Sequence, residues 1–247
     1  MGIAYGVTTN FQATKGIVQD GLVLNLDAGV KESYSSGSTW SDLNGVNDGT
    51  LVNNCVFNKE KGGGILLDGT DDHVRITDFD LDNIDVSFSV ALRVDSISDD
   101  RDIISKGRHT TSRPILCWCD RSVSSSANVG AGNQYAISCL TYDGDTQLWV
   151  SSASNSVTVD EIFILDITID ASAGTLSMYK NGTLLGSYTN ANYNGMMASS
   201  DDIRLGVDSY ITKDLGGMFY FFRIYTKCLS ANEVAQNFNV MRHRFGI

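Results

Sequence analysis

The acidic side chains are the residues of this sequence that could carry out hydrolysis. A retaining glycosidase needs two carboxyl groups about 5–5.5 Å apart, and an inverting one needs them about 6.5–9.5 Å apart. The nearest candidates are Asp166 and Asp170, on the polar outer face of a predicted strand at 161–170. Four residues of strand separate them by roughly 13 Å, which suits neither geometry. No two Glu residues lie close together in the chain, so we expect the protein not to be an enzyme.

Other nucleophilic or metal-binding residue types show no useful spacing. His73, His109 and His243 are scattered, and no Ser stands in the context of a nucleophile elbow. The five Cys residues are odd in number, which argues against a disulfide framework. Cys117 and Cys119 would face one side of a strand about 6.6–7 Å apart, too far for a normal disulfide. We interpret them as buried thiols.

Aromatic side chains among Asn, Asp and Gly residues are candidates for contacting a sugar. An exposed ring can cover the apolar face of a sugar while nearby amides and acids bond its hydroxyls. Four residues occur in such a setting: Tyr142, Trp149, Tyr193 and Tyr210. The alternative interpretation is that these rings anchor the core or the loops.

The overall charge and hydropathy exclude two classes of partner. The chain has 18 basic and 29 acidic residues, for a formal net charge of −11. Such an acidic surface repels phosphate backbones, so we expect no nucleic acid partner. No stretch approaches 18 apolar residues, so we expect no membrane insertion. The first twenty residues lack the apolar segment of a secretory signal, which predicts synthesis in the cytoplasm.

Short strands account for most of the chain. The clearest covers residues 86–94, where apolar residues alternate with polar or small ones. Asn181-Gly182 separates two further strands and predicts a type I′ hairpin turn. The other predicted strands cover 22–26, 49–52, 55–58, 64–68, 73–77, 102–106, 114–119, 134–141, 146–151, 161–170, 176–180, 183–188, 203–207 and 217–225.

One short helix is predicted near the C-terminus. Ser230, followed three residues later by Glu233, is the pattern of a capping box. Val234, Phe238 and Met241 recur beyond it at helical spacing, which predicts a face that packs on the rest of the domain. Many short strands with a single helix indicate an all-β fold, in which two antiparallel sheets form a sandwich.

Residues 1–20 are predicted to form an N-terminal arm outside a single domain at 21–247. The arm has no clear period, but Ile3, Tyr5 and Val7 alternate, and Phe11 adds further apolar surface. Such a segment suits strand addition to the sheet edge of a partner, so we expect it to dock the domain onto its neighbours in an assembly. The alternative is that it folds back as an edge strand of its own sandwich.

Several stretches carry recognisable motifs: DGLVLNLDAG at 20–29, TWSDLNG at 39–45, GGILLDGTDDHV at 63–74 and FRIYTKCLSANEV at 222–234. They resemble the laminin-G-like branch of the concanavalin A-like lectin/glucanase jelly rolls, over about 20–246. The resemblance implies a jelly-roll sandwich. The opening DGLV and the closing RFGI are also similar to virion proteins of tailed phages, particularly those of marine cyanobacteria.

That resemblance implies a non-catalytic bacteriophage structural protein on the virion surface, either as capsid decoration or as part of a tail or fibre. Its partners would be other virion proteins, and it would be oligomeric in the assembly. The alternative is a carbohydrate-binding, lectin-like module that recognises host surface glycan. The two hypotheses differ in whether the protein accompanies particles or binds sugar by itself.

Calcium is the one cofactor that the resemblance suggests. Many laminin-G-like domains bind calcium at loop carboxylates, and Asp71 and Asp72 lie in the corresponding turn of this sequence. Calcium takes 6–8 oxygen ligands, so further oxygens would have to come from elsewhere. The alternative is that these Asp residues form turns on a solvated surface.

Overall fold

The computed structural model describes residues 16–97, 100–108, 112–120, 135–208 and 213–247. These residues form two eight-stranded antiparallel sheets and one C-terminal helix, as the sequence predicts. A single large cluster of buried apolar side chains contains residues from both sheets. The core therefore lies between two facing sheets, which confirms the jelly-roll sandwich.

Sheet A has the C-terminal helix on its outer face. Its strands are, in spatial order, β14 (Thr183–Thr189), β13 (Thr175–Lys180), β12 (Ile162–Asp170), β7 (Val86–Val94), β16 (Gly216–Tyr225), β5 (Gly64–Asp68) and β4 (Val56–Asn58), with β1 (Leu22–Asp27) also paired to β16.

Sheet B forms the other layer. Its strands are, in spatial order, β11 (Gln147–Ser151), β10 (Ala136–Tyr142), β9 (Ser112–Asp120), β8 (Arg101–Arg108), β15 (Ile203–Leu205), β6 (His73–Ile76), β3 (Gly49–Val52) and β2 (Thr39–Trp40).

Alternation along the strands builds the core. On β7 the residues Val86, Phe88 and Val90 are fully buried between the sheets. Each such side chain stabilises the fold by about 1.5–3 kcal/mol relative to an exposed one. Cys117 and Cys119 are also buried there as free thiols, as predicted.

The turn at Asn181-Gly182 joins β13 to β14 as expected. Both residues have positive φ, 51° and 74°, as a type I′ turn requires. The Asn181 Oδ1 atom also accepts a hydrogen bond from the Ile164 amide at 2.9 Å. This hydrogen bond connects the turn to β12, in addition to the pairing of β13 with β14.

Helix α1 (Ala231–Phe245) has the predicted capping box: the Glu233 amide donates to Ser230 Oγ, and the Ser230 amide donates to the Glu233 carboxylate. Its packing differs from the prediction. Val234 is buried, whereas Phe238 is only half-buried, and the largest buried ring of the helix is Phe245. Phe245 lies against Tyr220 and Phe221 on the outer face of sheet A, with ring centroids 5.1 and 6.2 Å away.

The predicted boundary between arm and domain at residue 20 is wrong. Val18 is buried against Leu229 and Val234, and its amide donates to Asn237 Oδ1 at 2.8 Å. Residues 16–20 therefore belong to the packed body, because α1 gives them both an apolar surface and a hydrogen-bond acceptor. The arm residues proposed to dock onto a partner, Ile3, Tyr5, Val7 and Phe11, lie outside the described residues.

No helix in the described part of the chain is long and apolar enough to cross a membrane.

Candidate functional site

Two of the predicted sugar-contacting residues share one outer surface of sheet B. Strands β10 and β11 pair Tyr142 with Gln147, Leu140 with Trp149, and Ser138 with Ser151. The residues between them, such as Cys139 and Leu148, point into the core. The six paired side chains therefore lie on the side of the sheet away from the core, where Ser138 and Leu140 are nevertheless buried. We call this surface the β10–β11 face: Ser138, Leu140, Tyr142, Gln147, Trp149 and Ser151.

Trp149 is the centre of the β10–β11 face. Its ring stands edge-on to Trp118 of β9, with centroids 5.5 Å apart and an interplanar angle of 62°. Its indole N–H donates to Ser151 Oγ at 3.2 Å, and Ser151 in turn lies 2.6 Å from Ser138 Oγ. Trp149 is half-buried, so these contacts fix the ring while part of it stays accessible. Trp118 was not predicted, because only the pairing of β9 with β10 brings it beside Trp149. Gln147 was not predicted either, although it precedes Trp149 by two residues on β11 and so shares its face.

The surroundings of Trp149 combine apolar and polar groups. Gln147 is exposed and offers an amide, and Tyr142 is half-buried with its hydroxyl donating to the Gly144 carbonyl oxygen. An aromatic ring beside hydroxyl and amide groups can hold a sugar, because each sugar ring has both C–H faces and hydroxyls.

The other two predicted sugar contacts do not join this face. Tyr193 is only 1% exposed, and its hydroxyl lies 2.7 Å from Thr141 Oγ1 in the core. Burial raises the pKa of the Tyr193 phenol. Its prediction as a sugar contact is wrong, because its polar neighbours in the sequence conceal a core anchor. Tyr210 lies outside the described residues.

The predicted calcium ligands lie in an acidic turn between β5 and β6. Carboxylate oxygens of Asp68, Asp71 and Asp72 lie within 4.8 Å of one another, so Asp68 joins the two predicted residues. Asp72 already accepts hydrogen bonds from the Asn54 amide at 2.8 Å and the Asp68 amide at 3.2 Å. Carboxylate oxygens are the ligand type that calcium prefers, but the Asp72 oxygens also hold the turn together through these two hydrogen bonds. Calcium binding here stays a prediction.

Of the two carboxyl groups considered for hydrolysis, Asp166 is buried, whereas Asp170 is half-buried at the end of β12. Asp166 is fully buried, which corrects the expectation of a polar outer face. Ser89 on the adjacent strand β7 and Arg223 on β16, one strand further, are buried too. Burial raises the pKa of Asp166 to about 7. Asp102, in sheet B, is 3% exposed, and burial followed by the charge of Asp208 raises its pKa to about 8. These two carboxyls belong to different sheets, Asp166 to β12 of sheet A and Asp102 to β8 of sheet B.

Comparison with known proteins identifies the fold family. The sequence profile described as the concanavalin A-like lectin/glucanases superfamily matches residues 68–235. No curated protein matches the sequence.

Solved structures with the same fold include receptor-binding parts of bacterial toxins. The binding domain of botulinum neurotoxin serotype D is 15% identical, with a TM-score of 0.67 over 89% of this chain and 52% of that one. The binding domain of Paraclostridial Mosquitocidal Protein 1 is also 15% identical, with a TM-score of 0.68 over 89% and 52%. A serotype D domain in complex with N-acetylneuraminic acid matches with a TM-score of 0.67 at 15% identity, over 89% and 51%. The chain thus spans about half the length of these structures.

Proposed function

This chain belongs to the concanavalin A-like lectin/glucanase superfamily, and on that premise we propose that it is a non-catalytic module that recognises carbohydrate through the β10–β11 face. The observation that carries the proposal is the position of Trp149. Its ring is held by Ser151 and Trp118 yet stays partly accessible, next to the exposed amide of Gln147. A ring fixed before binding loses little conformational entropy when a ligand docks.

Two further observations favour recognition over catalysis. One solved structure of the same fold is a toxin domain in complex with N-acetylneuraminic acid, a sugar. The two carboxyls whose pKa burial raises most clearly, Asp166 and Asp102, are both closed off from solvent and lie in different sheets, so neither is open to a substrate.

Carbohydrate recognition therefore takes precedence over the virion hypothesis. The toxin domains of the same fold are described as binding domains, and none of them is a virion protein. A place on a phage particle, beside other virion proteins, rests on the sequence motifs alone. Its test is mass spectrometry of purified particles, in which the protein should occur at a fixed copy number.

The test of carbohydrate binding is a glycan array followed by calorimetry on the best ligand. We expect Trp149→Ala to weaken binding by roughly tenfold or more, equivalent to about 1.4 kcal/mol, since central aromatic contacts dominate such interfaces. The matched control is Leu184→Ala, which removes an exposed apolar side chain from β14 in the other sheet. Undiminished binding by Trp149→Ala, or equal losses in both variants, would contradict the proposed site.

A further inference from the structure

A groove of about 660 Å³ lies at the rim of the sandwich, where the loop after β2 meets the start of β1. This is the edge of sheet B opposite to β11. Leu22, Val46 and Phe79 give it apolar walls, while Asn44, Asn47 and Asp80 contribute two amides and a carboxylate. We call it the rim groove. The groove is wide open to solvent, so a ligand there would be held on one face only.

The wall of the rim groove is built around one buried carboxylate. Asp42 is 5% exposed and accepts four backbone hydrogen bonds. Its Oδ1 atom accepts from the amides of Asn25 at 2.8 Å and Asn44 at 3.0 Å. Its Oδ2 atom accepts from the amides of Val46 at 3.3 Å and Asn47 at 3.2 Å. The loop is thereby held in one shape without any ligand.

This fixed loop presents both apolar and polar side chains at the groove. Val46 is 78% exposed, although its backbone is held by Asp42. The Asn44 side-chain nitrogen donates to the Leu22 carbonyl oxygen at 3.0 Å, and its side-chain oxygen accepts no hydrogen bond from the described part of the chain. The Asn47 side chain makes no hydrogen bond within the described residues. An apolar contact and two amides held on a rigid scaffold are the elements of a recognition site.

We propose that the rim groove is a second carbohydrate site, specific for an uncharged sugar ring. The Phe79 ring and Val46 cover the C–H face of the sugar, and the amides of Asn44 and Asn47 bond to its hydroxyls. Asp80 accepts from a hydroxyl and repels the carboxylate of an acidic sugar, because the net charge of the protein is already −11. The site extends the proposed function, since both take ligands of one chemical class.

The test uses an array of neutral and sialylated oligosaccharides that share the same cores. Val46→Trp fills the rim groove with a large ring, and Val56→Trp is its control, because Val56 is also exposed but lies on β4. Both variants should keep the unfolding temperature of the wild type. We expect Val46→Trp to weaken binding of neutral glycans by roughly tenfold or more, and Val56→Trp to retain it.

The outcomes separate this inference from the proposed function. If Trp149→Ala loses binding of neutral glycans and Val46→Trp does not, the rim groove is not a sugar site, and the proposal for the β10–β11 face is retained. Loss of sialylated but not neutral glycans in Val46→Trp would overturn the assigned ligand class. A changed sedimentation coefficient in Val46→Trp with unchanged glycan binding would identify a self-association surface instead. A wild-type protein that binds no glycan contradicts both proposals.

Discussion

Asp166 stands in a buried polar row across three strands of sheet A. It pairs in register with Ser89 of β7, which pairs with Arg223 of β16. Neither carboxylate oxygen of Asp166 has a hydrogen-bond partner among the described residues. Arg223 instead bonds to Asn25 at 2.9 Å and to Asp27 at 3.2 Å. Burial therefore raises the pKa of Asp166 to about 7, while Ser89 and Arg223 lower it only in part.

The raised pKa of Asp166 predicts a stability that falls as pH increases. Between an unfolded pKa near 3.8 and a folded pKa of about 7, the folded protein holds more protons than the unfolded chain. The free energy of unfolding must then decrease with rising pH across this window. We expect Asp166→Asn, which cannot ionise, to gain roughly 1–3 kcal/mol over the wild type at pH 8 and little at pH 4.

Urea titrations at a series of pH values measure this difference. Asp166→Ala serves as the control, since it also removes the carboxyl group but leaves a cavity. The free energy of unfolding of Asp166→Ala should depend on pH as that of Asp166→Asn does, but it should be lower at every pH. If the free energy of unfolding depends on pH in the same way for the wild type and for Asp166→Asn, the buried carboxyl of Asp166 does not cause the pH dependence.

Helix α1 shows how far local sequence patterns determine an element. The Ser230–Glu233 capping box is a local signal, and it predicts the start of the helix correctly. The packed face is different, because it depends on the outer surface of sheet A. A register shift between Phe219 and Phe221 of β16 accompanies the burial of Tyr220 and Phe221 beneath Phe245. No spacing within the helix reveals that partner.

Phe245 and Phe238 should therefore contribute unequally to stability. Phe245 is 3% exposed, and we expect Phe245→Ala to cost about 3–5 kcal/mol of unfolding free energy. Phe238→Ala should cost less, because that ring is half-buried. Ser230→Ala should cost about 1 kcal/mol through loss of the cap. Denaturant unfolding of the three variants measures the order, and a larger cost for Phe238→Ala would contradict the packing described here.

The strands were predictable where residue types alternate along the chain, even in β7, which is buried on both faces. Alternation predicts β7 at 86–94 with correct ends, and the hairpin at Asn181-Gly182 follows from its turn chemistry. The candidate site was predictable only in part. Trp149 and Tyr142 can be recognised because they stand among Asn, Asp and Gly residues in the sequence. Trp118 becomes part of the site only through the pairing of β9 with β10, which is a long-range contact. Asp42 lies within the TWSDLNG motif, but its four backbone hydrogen bonds depend on how the loop folds and cannot be inferred from that motif.

At the scale of the whole molecule, the two proposed sugar sites lie at opposite edges of sheet B. The acidic turn of Asp68, Asp71 and Asp72 is distinct from both, since it joins β5 to β6. Three carboxylates within 4.8 Å repel one another, so a divalent cation there would relieve the repulsion in the folded state only.

We expect calcium to raise the unfolding midpoint if it binds at this turn. A ligand of the native state alone stabilises it by about 2.7 kcal/mol at one hundred times its dissociation constant. The measurement is thermal unfolding in EDTA and in millimolar calcium, with Asp71→Ala expected to remove the shift. Asp145→Ala, at an exposed acid in another loop, is the control. An equal midpoint in both solutions would rule out the site.

The packing of α1 on sheet A also sets which way the domain faces when it is attached to a support. The helix ends at Phe245, against the outer surface of sheet A, two residues before the C-terminal Ile247. A sensor chip coupled through Ile247 would therefore lie on the sheet A side. The β10–β11 face is on the outer surface of the opposite sheet and would point away from the chip into the flowing analyte. C-terminal coupling would leave that face open even to whole cells or vesicles, whereas coupling through scattered lysines would orient the molecules at random.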